Sequence, residues 1–142
     1  MNLPNLAHHH LQDAKLRLDD AYRHRAQKHY HLTVRACQET VELALKAALR
    51  FANIDPPKQH NVAKTLRQNA RVFPEWFRSS LERWTAISIE MEQERIPSMY
   101  GDEANLVPPS ELYTEDDAVS ALDKASQVLS ACEKLIQDSQ TH

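Results

Sequence analysis

The sequence has a single glycine among its 142 residues and no alternating run of valine, isoleucine and threonine. Both absences argue against β-strands and favour helices joined by short loops that contain proline. No apolar stretch reaches the roughly 18 residues of a membrane span. Residues 1–10 also lack the basic and apolar regions of a signal peptide. We therefore expect a cytoplasmic protein that makes no contact with a membrane.

Cysteine is also scarce, since only Cys37 and Cys132 occur, and both fall on apolar faces of expected helices. We expect two buried thiols in a reducing compartment, with a disulfide as the alternative. The sequence contains no glycine-rich phosphate loop, no Cys-x-x-Cys pair and no nucleophile motif of a serine or cysteine hydrolase. We therefore predict that the protein uses no cofactor.

Residues 30–52 form the most informative segment, because they lack glycine and proline and are apolar on two faces. Each face follows the spacing of three and four residues that is typical of an α-helix. A helix that is apolar on two sides packs on two sides. We predict that it is the central helix of an all-α, up-down bundle of about five helices, folded as one domain over residues 1–142. The two faces are Tyr30, Val34, Cys37, Val41, Ala44, Leu45, Ala48 and Ala52, and Leu32, Ala36, Leu43, Ala47 and Phe51.

The other helices are placed by start and stop signals. Pro74 is expected at the first position of helix four, and Pro97 is expected to end it. A polar loop follows over residues 98–113, and Tyr22 is expected in the apolar stripe of helix one. The predicted helices span residues 5–24, residues 27–53, a short segment capped by Asn61, residues 74–95, and a last segment capped by Thr114.

Helix four carries the heaviest aromatic load of the chain, with Trp76, Phe77 and Trp84. One face of a bundle seldom needs so much aromatic surface, so this load favours a homodimer. Charge is uneven as well. Residues 1–71 carry 12 Lys and Arg against 6 Asp and Glu, and residues 72–142 carry 5 against 14. We interpret the imbalance as two ordinary solvated faces; a basic face for phosphates on the first two helices is the alternative.

The eight histidines do not form a metal site in the sequence. Residues 8–10 cannot all point one way on a helix, whereas zinc needs three or four converging ligands. His60, beside Asn61, is expected to anchor its loop. We predict no metal site. The glutamates of the expected bundle likewise lack the Glu-x-x-His repeat of a di-iron centre: Glu39, Glu42, Glu90 and Glu94.

The polar loop after helix four is where we expect chemistry, because long loops in compact domains are usually functional. It brings together a cation, a phenol and two carboxylates. Two interpretations are open. In one, these groups contact a ligand. In the other, the carboxylates pair with the cation or cap a turn, while the phenol seals the end of the bundle. The four residues are Arg95, Tyr100, Asp102 and Glu103.

Several motifs, in this order along the chain, resemble those of the HEPN family of small helical proteins. This family is named for nucleotide binding in higher eukaryotes and prokaryotes. The loop Tyr-Gly-Asp-Glu at 100–103 is similar to that of a bacterial and archaeal branch. The other matching pieces are a Glu-x-x-x-Lys-Ala run ending at Ala47, Lys58-Gln-His-Asn, the Arg95-Ile-Pro turn, and Tyr113-Thr-Glu-Asp-Asp-Ala.

The resemblance implies an all-α fold, a homodimer and one of two activities. Many relatives are metal-independent ribonucleases in which a histidine follows an arginine after four to six residues. Counted from Arg95, those positions hold Tyr100, Gly101 and Asp102. A phenol titrates near 10, which makes it a poor base at neutral pH. The missing histidine favours the other activity, a non-catalytic module that binds nucleotide or RNA.

In that case the resemblance implies binding through the four loop residues and a separately encoded minimal nucleotidyltransferase as partner. The alternative is a divergent metal-independent ribonuclease toxin of a toxin–antitoxin pair, which would use Arg95 with Tyr100 or Asp102.

Overall fold

The computed structural model describes residues 3–58 and 62–138, and these residues are mostly helical, without a strand. The all-α prediction is confirmed. The helices are α1 (Leu3–Ala26), α2 (Tyr30–Phe51), α3 (Val62–Gln68), a 3-10 turn (Ala70–Val72), α4 (Glu75–Arg78), α5 (Leu81–Gln93), α6 (Pro97–Tyr100), α7 (Pro109–Leu112) and α8 (Glu115–Asp138).

Helix α2 lies in the centre of the bundle, as predicted. It packs along α1 on one side and along α8 on another, with further contacts to α3 and α5–α7. Leu45 and Leu49 are fully buried between these neighbours. Burial of large aliphatic side chains contributes roughly 1.5–3 kcal/mol each, so the two apolar faces of α2 hold the domain together.

Helix α8 begins where the sequence predicted, at a cap formed by Thr114. The Asp117 N–H donates to Thr114 Oγ1 at 3.2 Å, and the Thr114 N–H donates to Asp117 Oδ2 at 2.9 Å. This reciprocal pair satisfies backbone donors that the first helical turn leaves open. The apolar stripe of α8 is buried throughout: Ala118, Leu122, Ala125, Leu129, Cys132 and Ile136.

The prediction of one continuous helix over residues 74–95 is wrong. The segment is divided into α4 and α5 by a break at residues 79–80, and Pro74 precedes α4 instead of starting it. At the break, the Ser79 hydroxyl donates to the Trp76 carbonyl at 3.1 Å. Such a local bond competes with the continuation of the helix. Pro97 follows the end of α5 and itself begins α6.

The polar loop is more ordered than the sequence predicted, because α6 and α7 lie within it. Tyr22 also differs from expectation, since its side chain is 49% exposed. The exposure of Tyr22 depends on which face of α1 meets a neighbouring element, and sequence spacing decides that only where a whole stripe is apolar.

The aromatic residues of α4 and α5 are used inside the chain. Phe77 is fully buried, Trp84 is 8% exposed, and the Lys134 ammonium lies 4.5 Å from the centre of the half-buried Trp76 ring. Therefore these rings offer little surface to a second copy, and the aromatic argument for a homodimer is wrong. The homodimer itself stays a prediction that rests on the family resemblance.

Both cysteines are buried and carry free thiols, as expected. Burial raises the pKa of the Cys37 thiol to about 12, so this thiol is unreactive at neutral pH. Within residues 3–58 and 62–138, no helix combines the length and the apolar character that a membrane crossing requires. The predictions for His60 and Asn61 lie outside the described residues.

Candidate functional site

The residues between α5 and α7 build the candidate site, which begins with Arg95, two residues beyond α5. The Arg95 backbone N–H donates to the Glu92 carbonyl at 3.1 Å, and the buried Ser98 donates its hydroxyl to the Arg95 carbonyl at 3.3 Å. These bonds fix the backbone at the end of the helix, while the Arg95 side chain is exposed. The guanidinium is therefore accessible from the solvent.

Tyr100 is the last residue of α6, and its side chain is 58% exposed. Its ring therefore does not seal the end of the bundle, so that interpretation is wrong. An exposed aromatic ring close in sequence to an arginine is a surface on which a flat ligand can stack.

The single glycine of the chain, Gly101, makes the next turn possible. Its φ of +75° and ψ of −157° belong to a region that is almost restricted to glycine. A Cβ placed on Gly101 would lie 2.1 Å from the Val107 carbonyl oxygen. Directly after it, Asp102 and Val107 exchange two backbone hydrogen bonds of 2.8 and 2.9 Å. We call residues 95–107, which end at this pairing, the Arg95 loop.

The Asp102 side chain caps the turn inside the Arg95 loop. Its Oδ1 accepts from the Asn105 backbone N–H at 3.2 Å, and its Oδ2 accepts from the Asn105 side-chain amide at 2.7 Å. These hydrogen bonds, the side-chain one first, lower the pKa of Asp102 below its usual range. The turn-capping interpretation is therefore confirmed for Asp102.

A surface cavity of about 470 Å³ lies beside the Arg95 loop. Asp102 and the exposed Glu103 line it together with Gly101 and apolar side chains of α6 and α7. The structure thus places two of the four predicted site residues at one cavity. Arg95 and Tyr100 are exposed on the same loop but do not line this cavity.

A neighbouring cavity of about 410 Å³ shares Pro97 and Leu112 with the first and extends between α2, α5 and α8. On its wall, the Tyr113 hydroxyl donates to Glu94 Oε2 at 2.5 Å. Burial and the adjacent Glu94 carboxylate raise the pKa of Tyr113, so the phenol remains a donor at neutral pH. Glu94 directly precedes Arg95, so this bond ties the two ends of the segment that carries the Arg95 loop.

Sequence reasoning missed this contact. The residues are 19 positions apart, and only the packing of α5 against the segment before α8 brings them together. One signal was present, because Tyr113 and Glu94 are polar residues at the two ends of the long loop. Their positions in the sequence do not show that Tyr113 and Glu94 bond to each other.

Of the four glutamates weighed for a di-iron centre, three are engaged in ion pairs, and the fourth, Glu94, accepts the hydrogen bond from Tyr113. Glu39 pairs with Arg17 at 2.8 Å, Glu42 pairs with Lys46 at 3.1 Å, and the Lys124 ammonium lies 2.5 Å from Glu90. In the part of the chain that the structure describes, no group of three or more His, Cys, Asp or Glu side chains is placed to hold a metal ion.

Comparison with protein families gives one match that covers most of the chain. The model described as HEPN domain matches residues 7–135. This range includes most of α1 and α8, every element between them and the whole Arg95 loop. Neither a curated protein nor a solved structure matches the chain.

Proposed function

We propose, because the chain belongs to the HEPN domain family, that it is a non-catalytic module that binds nucleotide or RNA through the Arg95 loop. One observation carries this proposal. An exposed guanidinium stands at the end of α5, and the positions five to seven residues further on, where a family histidine would stand, hold a phenol, a glycine and a turn-capping carboxylate. The loop therefore has a cation for phosphate but no imidazole for proton transfer.

The residues of the Arg95 loop suit different parts of a nucleotide. Arg95 is permanently charged and can donate two parallel hydrogen bonds to a phosphate. The exposed Tyr100 ring can stack on a base, which requires no particular sequence. Glu103 can accept a hydrogen bond from a base amino group at the cavity edge. Asp102 holds the turn in shape, because both of its oxygens are bonded to Asn105.

Cleavage of RNA by the same loop is disfavoured by the acid–base chemistry of its side chains. A general base works best when its pKa lies near the working pH. The pKa of Asp102 is held below its already low usual value, so its carboxylate is a weaker base than an ordinary aspartate. The divergent ribonuclease, using Arg95 with Tyr100 or Asp102, remains the second candidate because the family includes ribonucleases.

We further propose that the module is a homodimer and works with a separately encoded minimal nucleotidyltransferase, as the family resemblance implies. The structure supports a protein interface near the Arg95 loop. Ile96 is 67% exposed and Leu106 is 89% exposed, and Met99 is also exposed. Several large apolar side chains on one short segment are typical of a surface that another protein covers.

Light scattering of the purified chain at tens of micromolar should give twice the chain mass, because a stable homodimer buries on the order of 1,200 Å² or more. Ile96→Glu should shift the mass toward the monomer if the exposed apolar residues form the interface. Leu16→Glu, on the exposed face of α1, is the matched control and should stay dimeric. A wild-type monomer at this concentration would refute the dimer.

Arg95→Ala should weaken the binding of single-stranded RNA to a similar degree for every sequence, because a phosphate contact carries no base information. The slope of log affinity against log salt should become flatter by about 0.7, the value for one phosphate contact on a single strand. Fluorescence anisotropy over a salt series measures both effects.

Arg71→Ala removes an exposed arginine from the 3-10 turn and is the matched control, which should keep the wild-type slope. If Arg95 is a structural clamp instead, Arg95→Ala will lower the melting temperature and leave the salt slope unchanged. That result would overturn the proposed role of Arg95.

A further inference from the structure

A second concave surface lies at the turn between α1 and α2, beside the first residue of α8. It has a volume of about 390 Å³, and we call it the turn cleft. Its lining combines two aromatic rings with two cations and one carboxylate: Tyr22, Arg25, Lys28, Tyr30 and Glu115, with Ala26 between them. We propose that the turn cleft is a second nucleotide subsite, which takes a base against the tyrosine rings and a phosphate on Arg25 and Lys28.

The backbone of the turn fixes where Lys28 stands. The Lys28 N–H donates to the Arg25 carbonyl at 2.9 Å, and the His29 N–H donates to the His24 carbonyl at 2.9 Å. Lys28 itself has a φ of +64°. The left-handed region disfavours any side chain with a Cβ, and glycine or asparagine usually occupies it at the end of a helix. The turn after α2 follows that rule, with Asn53 at a φ of +66°.

The left-handed conformation of Lys28 allows these two hydrogen bonds at the end of α1, but glycine would adopt it at a lower backbone cost than lysine. Backbone strain of this kind is a reason to look for a function of the residue that carries it. Here the strained residue lines a cavity, and its ammonium is a donor for an anion. The capping hydrogen bonds account for the backbone conformation but not for the choice of lysine, which favours a ligand contact for the side chain at this cavity.

A hydrogen bond to α8 positions one of the two tyrosine rings of the turn cleft. The Tyr22 hydroxyl lies 3.1 Å from Ser126 Oγ, while the side chain remains 49% exposed. Tyr30, the first residue of α2, is half-buried at the same cavity. A ring that is positioned by a hydrogen bond yet open to solvent can stack on a base of any kind.

Arg25 in the turn cleft can exchange its present partner, the Glu115 carboxylate, for a phosphate. Arg25 Nη2 lies 3.6 Å from Glu115 Oε1, and the two side chains are 42% and 62% exposed. Such an exposed pair contributes little stability, so a phosphate can replace the carboxylate on Arg25. Glu115 at the rim also repels a polyanion. Removal of its charge should therefore strengthen the binding of RNA.

The turn cleft and the Arg95 loop lie at the same end of the bundle. Glu115 lines the turn cleft, while Tyr113 and Asp117 line the cavity that shares Pro97 with the cavity of the Arg95 loop. The turn cleft and the cavity next to that of the Arg95 loop therefore both adjoin the first turn of α8. A single strand that meets the Arg95 loop can continue across this end to the turn cleft.

The test uses a fluorescent single-stranded RNA 12-mer and, separately, adenosine monophosphate, each titrated with the whole protein. Lys28→Gly should weaken RNA binding several-fold and flatten its salt slope by about 0.7, while the melting temperature stays the same or rises because glycine relieves the strain. Lys64→Ala removes an exposed lysine of α3 and is the control that should change neither value.

The aromatic arm of the test compares two substitutions of one residue. Tyr22→Leu should weaken binding about 5-fold or more, as expected for the loss of one stacked base, whereas Tyr22→Phe should keep most of the affinity. Glu115→Gln should strengthen it. If adenosine monophosphate binds and responds to the same variants, the ligand is a free nucleotide; if only RNA does so, the ligand is a strand. Both responses support the subsite.

Failure of this inference is distinguishable from failure of the proposed function. If Arg95→Ala weakens binding but Lys28→Gly, Tyr22→Leu and Glu115→Gln all behave as the wild type does, the turn cleft is not a subsite and the Arg95 loop binds alone. If only the variants of the turn cleft weaken binding, the subsite is supported and the role of the Arg95 loop is refuted. A wild-type protein that binds neither probe refutes both proposals.

Discussion

Leu45→Asp is expected to prevent folding of the chain. Leu45 is fully buried on α2, which packs against α1 on one side and α8 on another. A carboxylate there would lose its hydration without gaining a partner, which costs several kcal/mol. Domains of this size are stable by only about 5–15 kcal/mol, so the loss removes most of that margin. Circular dichroism during thermal unfolding should show little helix and no cooperative transition.

The control for this prediction is Leu16→Asp, the same change on the exposed face of α1. It should cost less than about 1 kcal/mol, which is mainly the lower helix propensity of aspartate. A Leu45→Asp variant that is helical and melts cooperatively near the wild-type temperature would show that α2 is not the packed centre of the bundle.

Gly101→Ala has the second largest expected effect, and it is local. The new Cβ would meet the Val107 carbonyl oxygen at 2.1 Å, and backbone atoms of Pro108 and Pro109 lie 2.9 Å away. None of these atoms belongs to a flexible side chain, so the backbone must move. Because the φ of +75° is also strained, we expect the substitution to cost about 2–3 kcal/mol of stability or to open residues 101–107.

Thermal unfolding and limited proteolysis together measure this effect, because a loop can open without a change in the melting temperature of the core. Ser110→Ala, an exposed position in α7, should alter neither measurement. If Gly101→Ala has the wild-type melting temperature and the wild-type proteolysis pattern, the close approach of Gly101 to Val107 does not shape the loop.

The long helices could be predicted because their signals are redundant. In α2, two apolar faces repeat over six turns, so an error at one position does not change the prediction. At the start of α8, Thr114 and Asp117 are spaced for reciprocal capping, and the structure shows both bonds. Local sequence and tertiary packing favour the same structure at these places.

Apart from α3, which follows the predicted start signal, the short helices could not be predicted from local signals. Proline both ends a preceding helix and starts a following one, so Pro97 is compatible with either role. The break between α4 and α5 depends on a serine hydroxyl that bonds to the backbone, which sequence spacing does not reveal. Trp84 and Phe77 fit a core face and a partner interface equally well until their neighbours are known.

The sequence predicted which residues form the candidate site, but it did not predict how their side chains are arranged. Its cation and its missing imidazole are visible in the sequence around Arg95. The turn-capping role of Asp102 and the bond between Glu94 and Tyr113 depend on the path of the loop. The turn cleft was missed because Tyr22 fits the apolar stripe of α1, yet the structure exposes its ring. The sequence does contain one signal there: a lysine stands where the end of a helix favours glycine or asparagine.

A single incubation decides whether this HEPN module binds RNA without cutting it. Labelled single-stranded RNA is mixed with the wild-type protein in a chelating buffer, and the same samples are examined by anisotropy and on a denaturing gel. We expect bound RNA of unchanged length, because the Arg95 loop contains no imidazole to transfer protons near neutral pH. Shortened RNA that becomes intact again with Arg95→Ala would contradict this and establish the ribonuclease.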